Sequence, residues 1–337
     1  MAAGRNMKTH TLMRAAVCTA YGEPEVLQIQ ELAMPTPGPH DVLIRVHASA
    51  VNSADWRLRR PDPWGVRLFL GLRKPRIKVL GGVFAGEVVA TGAKVTRFRS
   101  GDKLFGSTLM RFGGYGEYVS LPEKATMTTV PRGFSFNEAA ALTFGYLTSL
   151  NFLRRAKVTS GQNVLIVGAS GSVGTAAVEL AVHFGGRVTG VSSAANLELV
   201  RKLGAEQTLD YNSSEYANHK TQYDVVVDTV GKTHWKNHLA RVKPTGKLVL
   251  VAAGALKTLY LPLLQPLYKP RLVAVVASEK RVDLELVRDL AEQGKIRPVI
   301  DRTYPLDQIA EAHHYVETGH KKGNVVVMIT GETNGHI

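Results

Sequence analysis

The chain has 337 residues and sets 42 Lys and Arg against 28 Asp and Glu, a formal net charge of +14. With 45% apolar and 21% charged residues it can build a core, which excludes wholesale disorder, and its length suits about two domains of ~100–200 residues each. The single cysteine, Cys18, excludes an internal disulfide and any multi-cysteine zinc or iron–sulfur centre.

No apolar stretch reaches the ~20 residues that a membrane-spanning helix needs. Arg5, Lys8 and Arg14 are not followed by the apolar core of a secretory signal. Residues 1–13 read as a flexible leader, with a mitochondrial targeting segment as the alternative; the expected compartment is the cytoplasm.

Residues 14–22 read as a strand and turn. VLQIQEL (26–32) alternates apolar and polar residues, as a half-buried strand does. A Pro/Gly turn cluster separates it from the strand VLIRVHASAV (42–51). Between Arg57 and Lys78 stand Arg57, Arg59, Arg60, Arg67, Arg73, Lys74, Arg76 and Lys78 against Asp62 alone. This run reads as a solvated loop face; the sharper alternative is a landing site for an anionic substrate group such as a phosphate. Nucleic acid is the third reading, because no recognition motif or interleaved aromatic pattern accompanies the charge. Residues 79–98 mix Val with Gly, which suits twisted strands bent into a small barrel.

The texture changes near Asn137, a candidate N-cap with Glu138 in the first helical turn. Strands then alternate with helices: 163–167, 187–191, 207–211, 223–230 with a helix near 232–241, 247–253 and 271–277. Near-continuous apolar strands with helical crossovers imply a parallel, doubly wound sheet. A helix follows, ending at Gly294; a further helix near 307–318 and the strand 324–329 fit poorly as more units of that sheet and suit a return to the first, β-rich part.

Gly168-Ala169-Ser170-Gly171-Ser172-Val173-Gly174 follows a buried strand and opens a helix. Glycines there let the backbone turn tightly, and the helix N-terminus offers unpaired N–H groups to a pyrophosphate. The strand–loop–helix setting is what makes this glycine string a dinucleotide signal. Tyr216 and Lys220 match the Tyr-x-x-x-Lys pair of short-chain dehydrogenases, but they fall in a polar stretch after the third strand, toward the adenosine end. At the end of strand 187–191 stand Ser192, Ser193 and Asn196, with no Asp or Glu to hold a ribose 2′-OH. A carboxylate would repel a 2′-phosphate, so its absence, with Tyr211 closing the next strand, favours NADPH over NADH.

From about Met13 onward the chain resembles the medium-chain dehydrogenase/reductase superfamily, in its zinc-independent, quinone oxidoreductase-like branch. The resemblance lies in MRAAV with YGEPEVL, Val51-Asn52-Ser53-Ala54-Asp55, Gly86 with VVATGAKVTRFRSGDKLFG, GGYGEYV, Ala139 to Ala141 with Leu147-Thr148, GASGSVG, KLGAEQTLDY and EAHHYVETGHKKGNVVV. It implies an α/β protein: a GroES-like, partly open β-barrel catalytic domain (14–136), a Rossmann doubly wound parallel-sheet domain that binds the nucleotide (137–278), and a C-terminal segment (279–337) returning to the catalytic domain. It also implies a homodimer, with strand 271–277 at the sheet edge.

By the same resemblance, Asn52 lies near nicotinamide and substrate, Thr148 approaches the nicotinamide ribose or ring, and Asn324 reaches the cofactor from the returning segment. Val230, Gly231, Ala252, Ala253 and Gly254 sit at strand ends where the nicotinamide half rests. Asp55 reads either as ordering the site or as a helix cap or ion-pair partner, and Asn52 either as catalytic or as a turn-capping amide. Tyr146 reads as a proton donor or a packed aromatic. Where the superfamily's alcohol dehydrogenases hold catalytic zinc, this chain has Asn52 and, within LGGVFAG, Gly82; no metal is expected. His313 and His314 are adjacent on a helix and point apart. Without zinc to stabilise an alkoxide, the expected reaction is hydride transfer from NADPH to a quinone or α,β-unsaturated carbonyl, a small electrophile that delocalises the incoming charge. The alternatives are an enoyl-thioester reductase, and a low-turnover NADPH-binding or RNA-binding protein of crystallin type.

Overall fold

The computed structural model describes residues 11–61, 67–232, 234–251, 261, 263–274 and 276–330. β1 (Leu12–Cys18) and β2 (Leu27–Ala33) form an antiparallel hairpin. The strand thus starts at Leu12, and Met13, assigned above to the leader, packs its side chain inward. A seven-stranded sheet follows, built from β3 (Asp41–Ala50), β4 (Val83–Thr91), β5 (Lys103–Ser107), β6 (Tyr118–Pro122) and β7 (Met127–Thr129). Its last two members, β14 (Ile300–Pro305) and β15 (Asn324–Met328), come from the end of the chain. β3 is the hub: β4, β6 and β15 all pair with it antiparallel, so the sheet curls around one apolar centre as a partly open barrel. Between β3 and β4 lie two short helices, α1 (Ser53–Arg59) and α2 (Arg67–Leu70).

α3 (Phe136–Ala141) is capped by Ser135 rather than by Asn137. The Ser135 hydroxyl accepts from the Glu138 amide at 3.2 Å and the Glu138 carboxylate accepts from the Ser135 amide at 3.0 Å, a reciprocal box that Asn137 cannot make from inside the helix. The helical pattern breaks at Leu142–Thr143 and resumes as α4 (Phe144–Ala156).

Next come β8 (Asn163–Val167), α5 (Ser172–His183), β9 (Arg187–Ser192), α6 (Leu197–Lys202), β10 (Gln207–Asp210), α7 (Ser214–Ala217), β11 (Tyr223–Asp228), β12 (Val242–Leu250) and β13 (Arg271–Val273). The six strands are all parallel in the order β10-β9-β8-β11-β12-β13. The strand read as 271–277 ends at Val273, though it does stand at the sheet edge, and the helix read near 232–241 is a 3-10 stretch from Trp235 to Arg241. The chain is therefore α/β, with a GroES-like sheet and a Rossmann sheet. Strand order reverses between β8 and β11, and this switch point opens the crevice in which such sheets take a ligand. α8 (Arg281–Glu292) and α9 (Ile309–Glu317) complete the described chain. On α9 His313 is buried, while His314 is exposed and pairs with Glu25 at 2.5 Å.

Candidate active site

The loop 168–174 lies at the carboxyl end of β8, at the switch point. Gly168 has φ +81, and a Cβ there would lie 2.3 Å from the Val230 side chain. Gly174 lets α5 pack down on the loop, since its Cβ would stand 2.0 Å from the Gly168 carbonyl oxygen. Gly171 is the N-cap of α5 and has no side chain to cap it; the first intrahelical bond is made by the Thr175 amide, to the Gly171 carbonyl at 2.8 Å. The amides of Ser172, Val173 and Gly174 are left at a positive helix end, the arrangement a pyrophosphate requires.

Beside the loop, at the end of β9, three polar side chains converge. Ser192 donates to the Ser170 hydroxyl at 2.9 Å and Asn196 Nδ2 does so at 3.3 Å. Asn196 Oδ1 is buried without a partner, an acceptor suited to a ribose hydroxyl. Ser193 is half-buried at the start of the turn carrying Asn196. Tyr211 stands half exposed beyond β10, its amide bonded to the Ser192 carbonyl at 3.0 Å.

Opposite, β11 ends in buried Asp228, whose carboxylate accepts from the amides of Val230 (2.9 Å) and Gly231 (3.0 Å). Burial would raise the Asp228 pKa, but the His238 ring, 3.5 Å away, and those two amides hold it below the ordinary value. The turn at Val230–Gly231 is thereby fixed across Gly168. Ala252, Ala253 and Gly254 lie outside the described residues.

The returning segment fastens onto the same loop. The Gly323 amide donates to the Ser170 carbonyl at 2.7 Å, and Ser172 Oγ donates to Asn324 Oδ1 at 2.6 Å. Asn324 Nδ2 is spent on the Val299 carbonyl at 3.0 Å. Asn324 thus ties the seven-stranded sheet to the first turn of α5. On the other side of that turn, Gly145 of α4 packs so close that a Cβ would lie 2.5 Å from the Ser172 carbonyl oxygen, and Ser149 donates to the Val173 carbonyl at 2.8 Å. Thr148 is buried on the same helix.

Asn52 caps α1, and its Nδ2 donates to the Ala50 carbonyl at 3.3 Å. Asp55, fully buried, accepts from the amides of Asn52 (2.8 Å), Gly81 (3.2 Å) and Gly82 (3.1 Å). Burial pushes its carboxyl up to about 6 despite those three amides. Asp55 is a clamp that sets the Asn52 turn against the Gly81–Gly82 segment.

Two family models match the chain: an alcohol dehydrogenase GroES-like domain over residues 38–132 and a zinc-binding dehydrogenase domain over residues 203–327. The chain is 32% identical over 327 residues to a 2-methylene-furan-3-one reductase from Solanum lycopersicum, covering 94% of this chain and 79% of that protein. It is 31% identical to a chloroplast envelope quinone oxidoreductase homolog from Arabidopsis thaliana, covering 94% and 98%. The solved quinone oxidoreductase from Coxiella burnetii superposes with a TM-score of 0.86 at 27% identity, covering 95% of this chain and 100% of that one. The chain belongs to the medium-chain dehydrogenase/reductase superfamily, in its quinone oxidoreductase-like branch. It is an oxidoreductase that works with a nicotinamide cofactor.

Within that superfamily the zinc-ligand positions, as read from the sequence, fall at Asn52 and Gly82. Asp55 joins these two through their amides, and both of its oxygens are occupied in doing so. Among the described residues no three His, Cys, Asp or Glu side chains come together as a metal site.

Tyr146 is buried, and its hydroxyl donates to Glu179 on α5. That hydroxyl is committed to the α4–α5 interface, so the sequence-based donor role finds no geometric support. Glu179 is the group that sequence reasoning passed over. Burial raises its carboxyl to about 7, although Tyr146 and the Arg297 amide, at 3.0 Å, both favour the charged form. The unfolded carboxyl, near 4.5, takes up fewer protons than the folded one between these values. Stability should therefore fall as pH rises from about 4.5 to about 7, by about 3 kcal/mol. Glu179→Gln, which resembles the protonated acid, should flatten that slope in denaturant melts taken across the range. An unchanged slope would remove Glu179 as its source.

Proposed function

We propose that this chain is a zinc-independent, NADPH-dependent reductase of quinones or α,β-unsaturated carbonyls. The nucleotide would lie along Gly168–Gly174, with its adenosine ribose among Ser170, Ser192, Ser193, Asn196 and Tyr211 and its nicotinamide half toward Asn52, Thr148, Val230 and Gly231. Residues 14–136 and 279–337 would form the catalytic unit and 137–278 the nucleotide unit. The bound cofactor supplies hydride; the protein's part is to orient it against the acceptor and keep water out. The observation that carries the metal-free reading is Asp55: the residues at the zinc-ligand positions are held by backbone amides on one buried carboxylate, and neither offers sulfur or imidazole. The relatives named as an NADPH-dependent alkenal/one oxidoreductase and as quinone oxidoreductases, from Arabidopsis thaliana and Homo sapiens, support the acceptor class.

NADPH is favoured because the end of β9, from Ser192 to Asn196, carries no Asp or Glu of its own to repel the 2′-phosphate, and Asp210, in register with Ser192 on β10, already accepts from the Asn212 amide at 3.0 Å. With hydroxyls and no arginine in that strand end, the preference should be modest: kcat/KM with NADPH about tenfold above NADH, about 1.4 kcal/mol. The test follows nicotinamide absorbance with a quinone and an enone, with and without prior chelation. Equal or better rates with NADH overturn the cofactor assignment, and loss of activity on chelation overturns the metal-free one. We also propose a homodimer through the edge at β13, with which no further strand pairs among the described residues, since an open sheet edge invites association. Among the described residues no helix is long and apolar enough to cross a membrane; the compartment we propose is the cytoplasm.

A further inference from the structure

The basic run between α1 and β4 forms a small lobe, described from Arg67 to Lys78. α2 is only four residues long and ends at Gly71, whose carbonyl accepts from the Tyr21 hydroxyl at 2.8 Å. The Arg67 guanidinium lies 4.9 Å over the Tyr21 ring, and the Arg76 side chain packs 3.2 Å from where a Gly71 Cβ would be. The lobe is thus a built turn around Tyr21. It holds Leu68 and Leu72 outward, 61% and 58% exposed, beside exposed Arg73, Lys74, Arg76 and Lys78. Among the described residues the only cations of the run in ion pairs are Arg59, with Glu317, and Arg60, with Glu23. The lobe's own cations have no acidic partner among the described residues.

We propose that this lobe docks on an anionic lipid bilayer. Uncompensated cations supply long-range attraction to acidic headgroups, and two leucines held clear of the core supply acyl-chain insertion; each alone is weak, and peripheral binding takes both. A nucleic-acid surface would use the cations but gain nothing from exposed leucines. The lobe leaves the chain between Arg59 and Val79, the two segments that Asp55 clamps together at the site. The docked segment is thus joined at its two ends to the Asn52–Asp55 turn and to the Gly81–Gly82 backbone.

The test is flotation of the full chain with phosphatidylcholine vesicles, with and without about 30% phosphatidylglycerol, at roughly 50 mM and 500 mM salt. Because it reads binding and not turnover, it stands or falls apart from the reductase reading. At low salt, binding to the anionic vesicles should exceed that to phosphatidylcholine by at least about tenfold and should fall in high salt. L68S/L72S and R73Q/K74Q/R76Q should each lower it at least about fivefold, with melting temperature and NADPH binding unchanged. Absence of binding at low salt overturns the proposal, as does equal binding to phosphatidylcholine alone or binding that survives both variants. Binding lost only in the arginine–lysine variant, and matched on single-stranded RNA, would assign the lobe to polyanions and overturn the lipid claim.

Discussion

Gly174→Ala is expected to weaken NADPH binding at least about 100-fold, or about 2.7 kcal/mol. The new Cβ would stand 2.0 Å from the Gly168 carbonyl oxygen and 2.8 Å from Ala169 backbone atoms. None of these is the movable end of a side chain, so α5 must lift off the loop. Lifting it displaces the amides of Ser172, Val173 and Gly174 and breaks contacts at Gly145, Ser149 and Asn324. Fluorescence titration of NADPH and thermal melting together check this. Gly171→Ala is the control: its φ is −80, and its Cβ would meet nothing closer than 3.7 Å. That variant should melt as the parent does, so any loss of affinity in it reports crowding of the bound nucleotide. Near-parental affinity in Gly174→Ala would remove the loop from the cofactor site.

The second large effect is expected at Asp55. Asp55→Ala strips three buried amides of their acceptor, at about 1–3 kcal/mol for each group left unpaired. Relief from burying a carboxylate offsets part of this, because Asp55 titrates near 6 and is mostly charged above that pH. A net loss of about 3 kcal/mol lowers the melting midpoint by roughly 4 °C in a chain of this size. Activity should fall further than stability, at least about 100-fold in kcat/KM, since the Asn52 turn and the Gly82 segment lose their common anchor. Asp55→Asn should fall between: one oxygen remains as an acceptor, while the new amide nitrogen faces an N–H group in either orientation. Full activity in Asp55→Ala would show that the clamp does not set the site.

What the sequence disclosed was local. The strand, the glycine loop and the helix run without interruption from Asn163 to His183, so spacing alone described them. The cap of α3 was misplaced by two residues because both Ser135 and Asn137 can cap, and the pairing of Ser135 with Glu138 three positions on was the deciding signal. The roles of Asp55 and Tyr146 depended on partners that no local pattern names. Asp55 meets amides 26 and 27 positions away, and Tyr146 meets a carboxylate 33 positions away. Asn324 meets Ser172 across 152 positions, and only the return of the last strand brings them together.

That return has a consequence for synthesis. The Gly323 amide can reach the Ser170 carbonyl only after the 152 residues between them have been made. A nascent chain can pleat its parallel strands early, yet the loop after β8 stays unfastened until Gly323 and Asn324 emerge. Premature termination anywhere before that point should leave a chain that folds in part and holds its coenzyme poorly.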